Sequence, residues 1–298
     1  FYAMYGDIET GLTVTDLGRY NRSLTGFKSE YHGDRFSYTA FAAETEQNFV
    51  REEIRGDGTS GLYHLGSQEI VYNSEKIVLQ TRDRYHPEVI LNTVPMTRHF
   101  DYNIDYEGGT LFFKRPILSK DQNLNPVYVV VDYEVDSGGQ KSYSYGGRAA
   151  LTVVQGLTLG ITHLHEGDTG ADGSLYAADA SLTILPTLTL SAEVATSRRR
   201  QNGDGFEDDA LILDLAHESE RFSARTYYRD IGSDFGLGHQ NASEIGTRKY
   251  GVQAAWRPTP VLTLHGEGFR QINRDNDASR EVAEFRATYS IGNLDLRG

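Results

Sequence analysis

The feature that most constrains the chain is a period of two in its apolar residues. From Tyr176 to Thr196 one parity carries Tyr176, Ala178, Ala180, Leu182 and Ile184, then Leu188, Leu190, Ala192 and Val194; the other carries Asp179, Ser181, Thr183, Thr189, Ser191 and Glu193. Successive side chains point to opposite faces only in a strand, so this spacing predicts β-structure with one apolar face and excludes a helix. Leu185-Pro186-Thr187 divides the run, and proline fits a tight hairpin turn but not a central strand. The same alternation recurs at Leu157–Ile161, Leu211–Leu215, Phe222–Tyr228, Tyr250–Trp256 and Ala283–Tyr289. Nearly all of the chain beyond Gly147 therefore reads as antiparallel strands.

The connections sort by length. Tight turns are expected near 155–156, 185–187, 219–221 and 257–260, and long polar links at 165–174, 198–209, 230–247 and 270–281. Short turns at one end and long loops at the other, joining strands of roughly ten residues, are the pattern of an outer-membrane barrel. In that setting the apolar parity faces lipid, with Tyr176, Tyr228, Tyr250, Trp256 and Tyr289 placed near the run ends where aromatic girdles sit, and the polar parity lines a watery lumen. A soluble barrel would invert the two faces, and parity alone does not choose between them.

Composition narrows the functional classes. The chain has 298 residues, no cysteine and a formal charge of −13, which excludes a disulfide framework, cysteine-ligated metals and a thiol nucleophile, and argues against nucleic acid as a partner. It has no run of about 20 apolar residues for a helical span and no signal-peptide pattern, but a β-barrel needs neither within this stretch. The start at Phe1 is read as a mature or excised segment.

Residues 62–136 have a denser texture, with short runs punctuated by Pro87, Pro95, Pro116 and Pro126 and a Glu107-Gly108-Gly109 hairpin signal. The expected organisation is N-terminal barrel strands over 1–58, an inserted all-β module over 59–140 and barrel strands over 141–298. Val129-Val130-Val131 is expected to be a fully buried strand within the module.

The stretches GTRKYGVQAAWRPTPVLTLHGEGFRQ and EYHGDRFSYTAFAAETEQ resemble large Gram-negative outer-membrane β-barrel proteins. The middle stretch, SEKIVLQTRDRY through RHFDYNIDYEGGTLFFKRPI to NPVYVVVDYE, is similar to β-modules of giant surface and outer-membrane proteins. The resemblance implies a location and an architecture, not an activity. The fold class expected is all-β: an antiparallel up-and-down, transmembrane-type barrel, partial, with a small sandwich-like module inserted. Such barrels often close on a terminal aromatic, whereas this chain ends Leu294-Asp295-Leu296-Arg297-Gly298, so more strands are expected outside the segment.

The leading functional expectation is a non-catalytic pore, translocation channel or surface scaffold of the bacterial outer membrane, its long loops extracellular. Its partners would be outer-membrane lipid and other surface or periplasmic proteins, and it would need no cofactor. The lumen-lining candidates are Asp179, Glu193, Asp214, Arg225, Lys249 and Arg286, which would set charge selectivity. The alternatives are a secreted soluble β-protein that binds glycans or cell surfaces, and a barrel-embedded hydrolase, although no Ser/His/Asp set assembles from the sequence.

Three local motifs carry weaker expectations. His163-Leu164-His165-Glu166 places two imidazoles on one strand face, and polar residues near a strand end are the simpler reading than a metal site. Asn202, Asp204 and Asp208 are candidate calcium ligands in an acidic loop, although Arg200 and Leu211 stand where a calcium-binding EF-hand needs acids. Arg198-Arg199-Arg200 is expected to pair with Glu207, Asp208 and Asp209 or with anionic headgroups.

Overall fold

The computed structural model describes residues 1–298 except 46, 137, 139–140, 169–170, 202–203, 241–242, 292–293 and 298. Strands begin with β1 (Tyr2–Glu9), β2 (Ser23–His32) and β3 (Phe36–Thr45). There follow β4 (Gln47–Arg55), β5 (Tyr63–His64), β6 (Lys76–Arg82), β7 (Ile90–Pro95), β8 (Tyr102–Asp105), β9 (Thr110–Phe113) and β10 (Val127–Asp136). The rest are β11 (Ser142–Val154), β12 (Leu157–Asp168), β13 (Ala171–Leu185), β14 (Leu188–Gln201), β15 (Asp204–Glu218), β16 (Phe222–Ile231), β17 (Thr247–Thr259), β18 (Leu262–Asn273), β19 (Ser279–Ile291) and β20 (Leu294–Arg297). No helix occurs among the described residues.

β1–β3 and β11–β20 form one up-and-down antiparallel sheet of 13 strands, in chain order apart from the excursion between β3 and β11. β1 and β20 are its two edges and do not pair with each other among the described residues, so the sheet is open and these strands do not close a barrel. Proline falls where backbone pairing is already broken: the β17–β18 register shifts between Trp256 and Thr259, across Pro258, whose missing N–H cannot join a ladder.

Two expected loops are not loops. The polar stretches 165–174 and 198–209 are mostly strand, because β12 runs to Asp168, β13 starts at Ala171, β14 runs to Gln201 and β15 starts at Asp204. A ladder hydrogen bond needs only backbone groups, so polar side chains can extend a strand beyond its apolar stretch. The sorting of ends therefore holds only in part, since only two residues separate β12 from β13 and β14 from β15 at the end expected to carry the long loops. Connections 33–35, 155–156, 186–187, 219–221 and 260–261 lie at one end, and 10–22, the excursion after Thr45, 232–246 and 274–278 at the other.

The excursion between β3 and β11 builds two small sheets, in the orders β4-β10-β6-β7 and β5-β9-β8. β4, placed by the sequence reading with the barrel strands of 1–58, pairs with β10 from Tyr128↔Arg55 to Asp136↔Gln47, so the excursion's sheets begin at Gln47 and not at residue 59. Both sheets share one core, in which Tyr63, Ile77, Tyr102, Leu111, Phe113, Val129, Val131 and Tyr133 are buried. Val129, Val130 and Val131 are all buried, because β10 is central and covered on both faces. The β8–β9 hairpin turns at Gly108-Gly109, and Gly109 takes a positive φ of 60° that only glycine adopts without strain.

The register assigns faces in the large sheet, since residues directly opposite across a strand pair share a face. One face carries Leu159, Ile161, Leu182, Leu190, Leu213, Val252 and Phe285, all exposed. The opposite face is covered toward the end that bears the long connections. There it carries Leu164, Leu175, Ala195, Ile212 and Ile231, which pack with Leu12, Leu17 and Tyr20 of the 10–22 connection and Phe235 of the 232–246 connection.

Candidate functional site

All six lumen-lining candidates lie on the covered face. The pairs Asp179↔Glu193, Glu193↔Ile212, Ile212↔Arg229 and Arg229↔Lys249 run across β13 to β17. Asp214↔Tyr227, Arg225↔Gln253 and His265↔Arg286 place the others on the same side.

None of the six is a bare charge. Arg148 Nη2 donates to Asp179 Oδ1 at 2.5 Å, and Arg225 Nε donates to Asp214 Oδ2 at 2.5 Å. Glu193 accepts the backbone N–H groups of Asp16 and Leu17 at 3.0 and 2.9 Å, tying the 10–22 connection to the sheet. Arg286 pairs with Glu284, to which Arg84 of the inserted module also donates at 2.6 Å. Lys249 is buried, donates to the Tyr85 carbonyl, and its Nζ lies 4.8 Å from the centre of the Phe269 ring. The face thus carries a mixture of ion pairs and charge-assisted hydrogen bonds to the backbone, consistent with the rule that buried charge is retained where it is paired or hydrogen-bonded.

Apart from Glu166 of the HLHE stretch, the structure adds residues that the sequence does not single out. Arg229 joins Glu244 at 2.7 Å and Asp16 at 3.0 Å. Arg22 joins Glu166 at 2.5 Å, Tyr20 Oη donates to the same carboxylate at 3.2 Å, and His239 Nε2 lies 3.3 Å from its other oxygen. His86 reaches Glu267 at 2.5 Å. Arg229, Glu267 and Glu284 stand on the polar parity of strands that alternation already marks, so extending the parity count would have found them. His86 lies in a turn of the module, 181 residues from its partner, and no local signal announces it.

The space on this face is uneven. Toward the short-turn end a cavity of about 570 Å3 is bordered by Thr15, Thr39, Arg148, Asp179, Ser181 and Glu193. Toward the other end, under the module, about 60 Å3 remains between Arg82, Glu88, Arg229 and Glu244, room for only a few waters.

Within the module, burial and the Glu75 carboxylate, which accepts from Tyr102 Oη at 3.1 Å, push the Tyr102 hydroxyl far above the usual tyrosine range. Burial likewise raises Tyr133, whose hydroxyl donates to Glu52. Both phenols stay protonated as donors at any ordinary pH, a structural use of tyrosine.

The local motifs resolve by parity. His163 and His165 project from the exposed face, His163 stacked on Tyr176 at 4.6 Å and His165 against Tyr145 at 4.8 Å, whereas Glu166 points to the covered face. The HLHE stretch is therefore split between two sides of the sheet. Among the calcium candidates, Asn202 lies outside the described residues. Asp204 and Asp208 sit four residues apart on one extended strand, roughly 13 Å, too far for one cation. Asp208 instead accepts the Asp234 N–H at 3.2 Å, and no group of three or more His, Asp or Glu that could hold a metal occurs among the described residues. Of the arginine run, Arg198 pairs with Glu207 at 2.9 Å on the surface.

No protein-family model matches the chain, and no curated protein matches it.

Proposed function

We propose that the chain forms part of the wall of a bacterial outer-membrane β-barrel, with lipid against the apolar face and a lumen on the polar face. The module stands at the extracellular end as a plug. The role is a gated pore or translocation channel without catalysis. The observation that carries this reading is the inversion of the large sheet: its Leu, Ile, Val and aromatic parity is the exposed one, and its charged parity lies on the face that the 10–22 connection and the module cover toward the long-connection end. A soluble sheet with one covered face hides the apolar parity. In water the exposed face would join apolar side chains from β11 to β19, whereas the largest patch on a soluble monomer is roughly 300–600 Å2.

Further support comes from the exposed aromatics. Tyr145, Tyr176 and Tyr250 stand toward the long-connection end and Phe222, Trp256 and Tyr289 toward the short-turn end, with aliphatic side chains between them. Two aromatic belts flanking an apolar band are what a membrane with two interfaces selects. The paired charges of the covered face, with Asp179, Glu193 and Asp214 among them, give the lumen its polarity.

Fractionation of cells expressing the chain with its native flanks tests the reading. The expected result is recovery with the outer membrane and extraction only by detergent. Recovery as a monodisperse protein without detergent would overturn it and favour the soluble surface-binding alternative.

A further inference from the structure

The module and the large sheet keep separate apolar cores. The module's core draws only on residues between Val50 and Val135, and the core of the large sheet contains none of them. What joins the two bodies is polar and aromatic: Lys76 donates to Ser23 at 2.7 Å, the Phe49 ring stacks on His239 at 5.0 Å with Arg22 over it at 4.5 Å, and a further set of contacts passes through one turn between β6 and β7. Arg84 Nη2 donates to Glu284 on β19 at 2.6 Å. The Tyr85 carbonyl accepts from Lys249 on β17, and the Tyr85 ring meets Phe269 on β18 at 5.7 Å. His86 Nε2 lies 2.5 Å from Glu267 Oε1 on β18, its Nδ1 lies 3.0 Å from Glu88 Oε1, and its ring meets Tyr227 on β16 at 5.2 Å. Three consecutive residues thereby engage four adjacent strands of the large sheet.

We infer that Arg84-Tyr85-His86 is a releasable latch: it seats the module on the polar face, and its release uncovers that face while the module stays folded. That release opens a pore rests on the function proposed above; that the latch holds the module does not. Docking through buried charge pairs returns little beyond the cost of desolvating them, so a docked and a hydrated, undocked arrangement lie close in free energy. The module's fold, held by its own core, is independent of that balance.

The latch has a built-in sensitivity to pH. Burial works to lower the His86 pKa, but hydrogen bonds to Glu267 and Glu88 outweigh it and raise it to about 9. The charged or titratable groups around the ring are Glu88 of its own turn, Tyr227 and Arg229 of β16, Lys249 of β17, Glu267 of β18 and Glu244 of the 232–246 connection. Arg84 and Glu284 lie alongside. Because the docked value lies above that of a free imidazole, the stabilisation by His86 is complete below about pH 6.5 and is lost as pH rises through 9. Glu88 is buried, which favours its neutral form, yet His86, Lys249 and Arg229 hold it below the usual carboxylate range, so it stays charged throughout that window.

The absence of native cysteine allows a direct test on the full chain in detergent. Phe269→Cys places a thiol on the polar face at a buried position under the Tyr85 ring, outside the core that the 10–22 connection covers, and Glu220→Cys provides an exposed reference at the other end of the sheet. The readout is the maleimide labelling rate at 269 relative to 220 at the same pH. It should rise about tenfold or more on going from about pH 6 to about pH 9.5, and equally in the R84Q/H86Q background at about pH 6. His86→Arg, a fixed positive charge, should keep labelling slow at both pH values. Protease resistance of residues 47–136 should persist throughout, which separates release from unfolding. Equal relative labelling in all backgrounds, or labelling that rises only with loss of protease resistance, would overturn the latch. Solubility without detergent would overturn the membrane setting and leave the labelling result to be read on its own.

Discussion

β10 of the module and β14 of the large sheet are built from the same alternation, yet they solve opposite problems. In β10, Val129, Val131 and Tyr133 point into a core that excludes water, and the intervening Asp132 pairs at 3.1 Å with Arg51. In β14, Leu190 and Val194 point outward and are exposed, while Glu193 between them turns inward to hold two backbone amides. One strand hides its apolar parity inside the protein and the other presents it to the surroundings. Alternation therefore determines which residues share a face but carries no sign. The sign comes from what covers the polar side, here the 10–22 connection and the module.

Charge substitutions at equivalent apolar positions separate the two regions most sharply. Val131→Asp would bury a carboxylate with no partner in the module core, and a cost of about 4–5 kcal/mol or more is expected. Residues 47–136 should then become protease-sensitive while the large sheet still assembles. Leu213→Arg on the exposed face should cost about 2–4 kcal/mol for folding into lipid bilayers if that face meets the middle of the membrane, and nearly nothing if it meets water. Denaturant titration of folding into lipid vesicles measures the difference. A negligible cost for Leu213→Arg in vesicles would break the contrast between the two strands.

The strands of the large sheet were readable because period two and turn chemistry are local. The face assignment of Asp179, Glu193, Asp214, Arg225, Lys249 and Arg286 followed from the same parity. Three things were not readable, for physical reasons. Strand extension through 165–168 and 198–201 depends on backbone pairing and leaves no apolar mark. β4 offers Val50 and Ile54 on one parity, as any strand of the large sheet would, so only its pairing with β10 assigns it to the module. The contact of His86 with Glu267 is made by the docking of two separately cored bodies, and neither segment carries a trace of it.

The inward half of the same contrast predicts a smaller effect. Glu193 accepts from Asp16 and Leu17 through its Oε2 atom at 3.0 and 2.9 Å, and Leu17 is buried beside it. Glu193→Ala leaves these donors without their acceptor at a cost of roughly 1–3 kcal/mol, whereas Glu193→Gln keeps a carbonyl oxygen in place and should lose about half of that. Since the carboxylate anchors the 10–22 connection and not the sheet itself, hydrogen exchange should speed up at residues 12–20 while the β13–β14 amides stay protected. Equal acceleration in both places would mean that the polar face holds the strands together as the module's core does, and the distinction between an outward-facing wall and an inward-packed module would fail at β14.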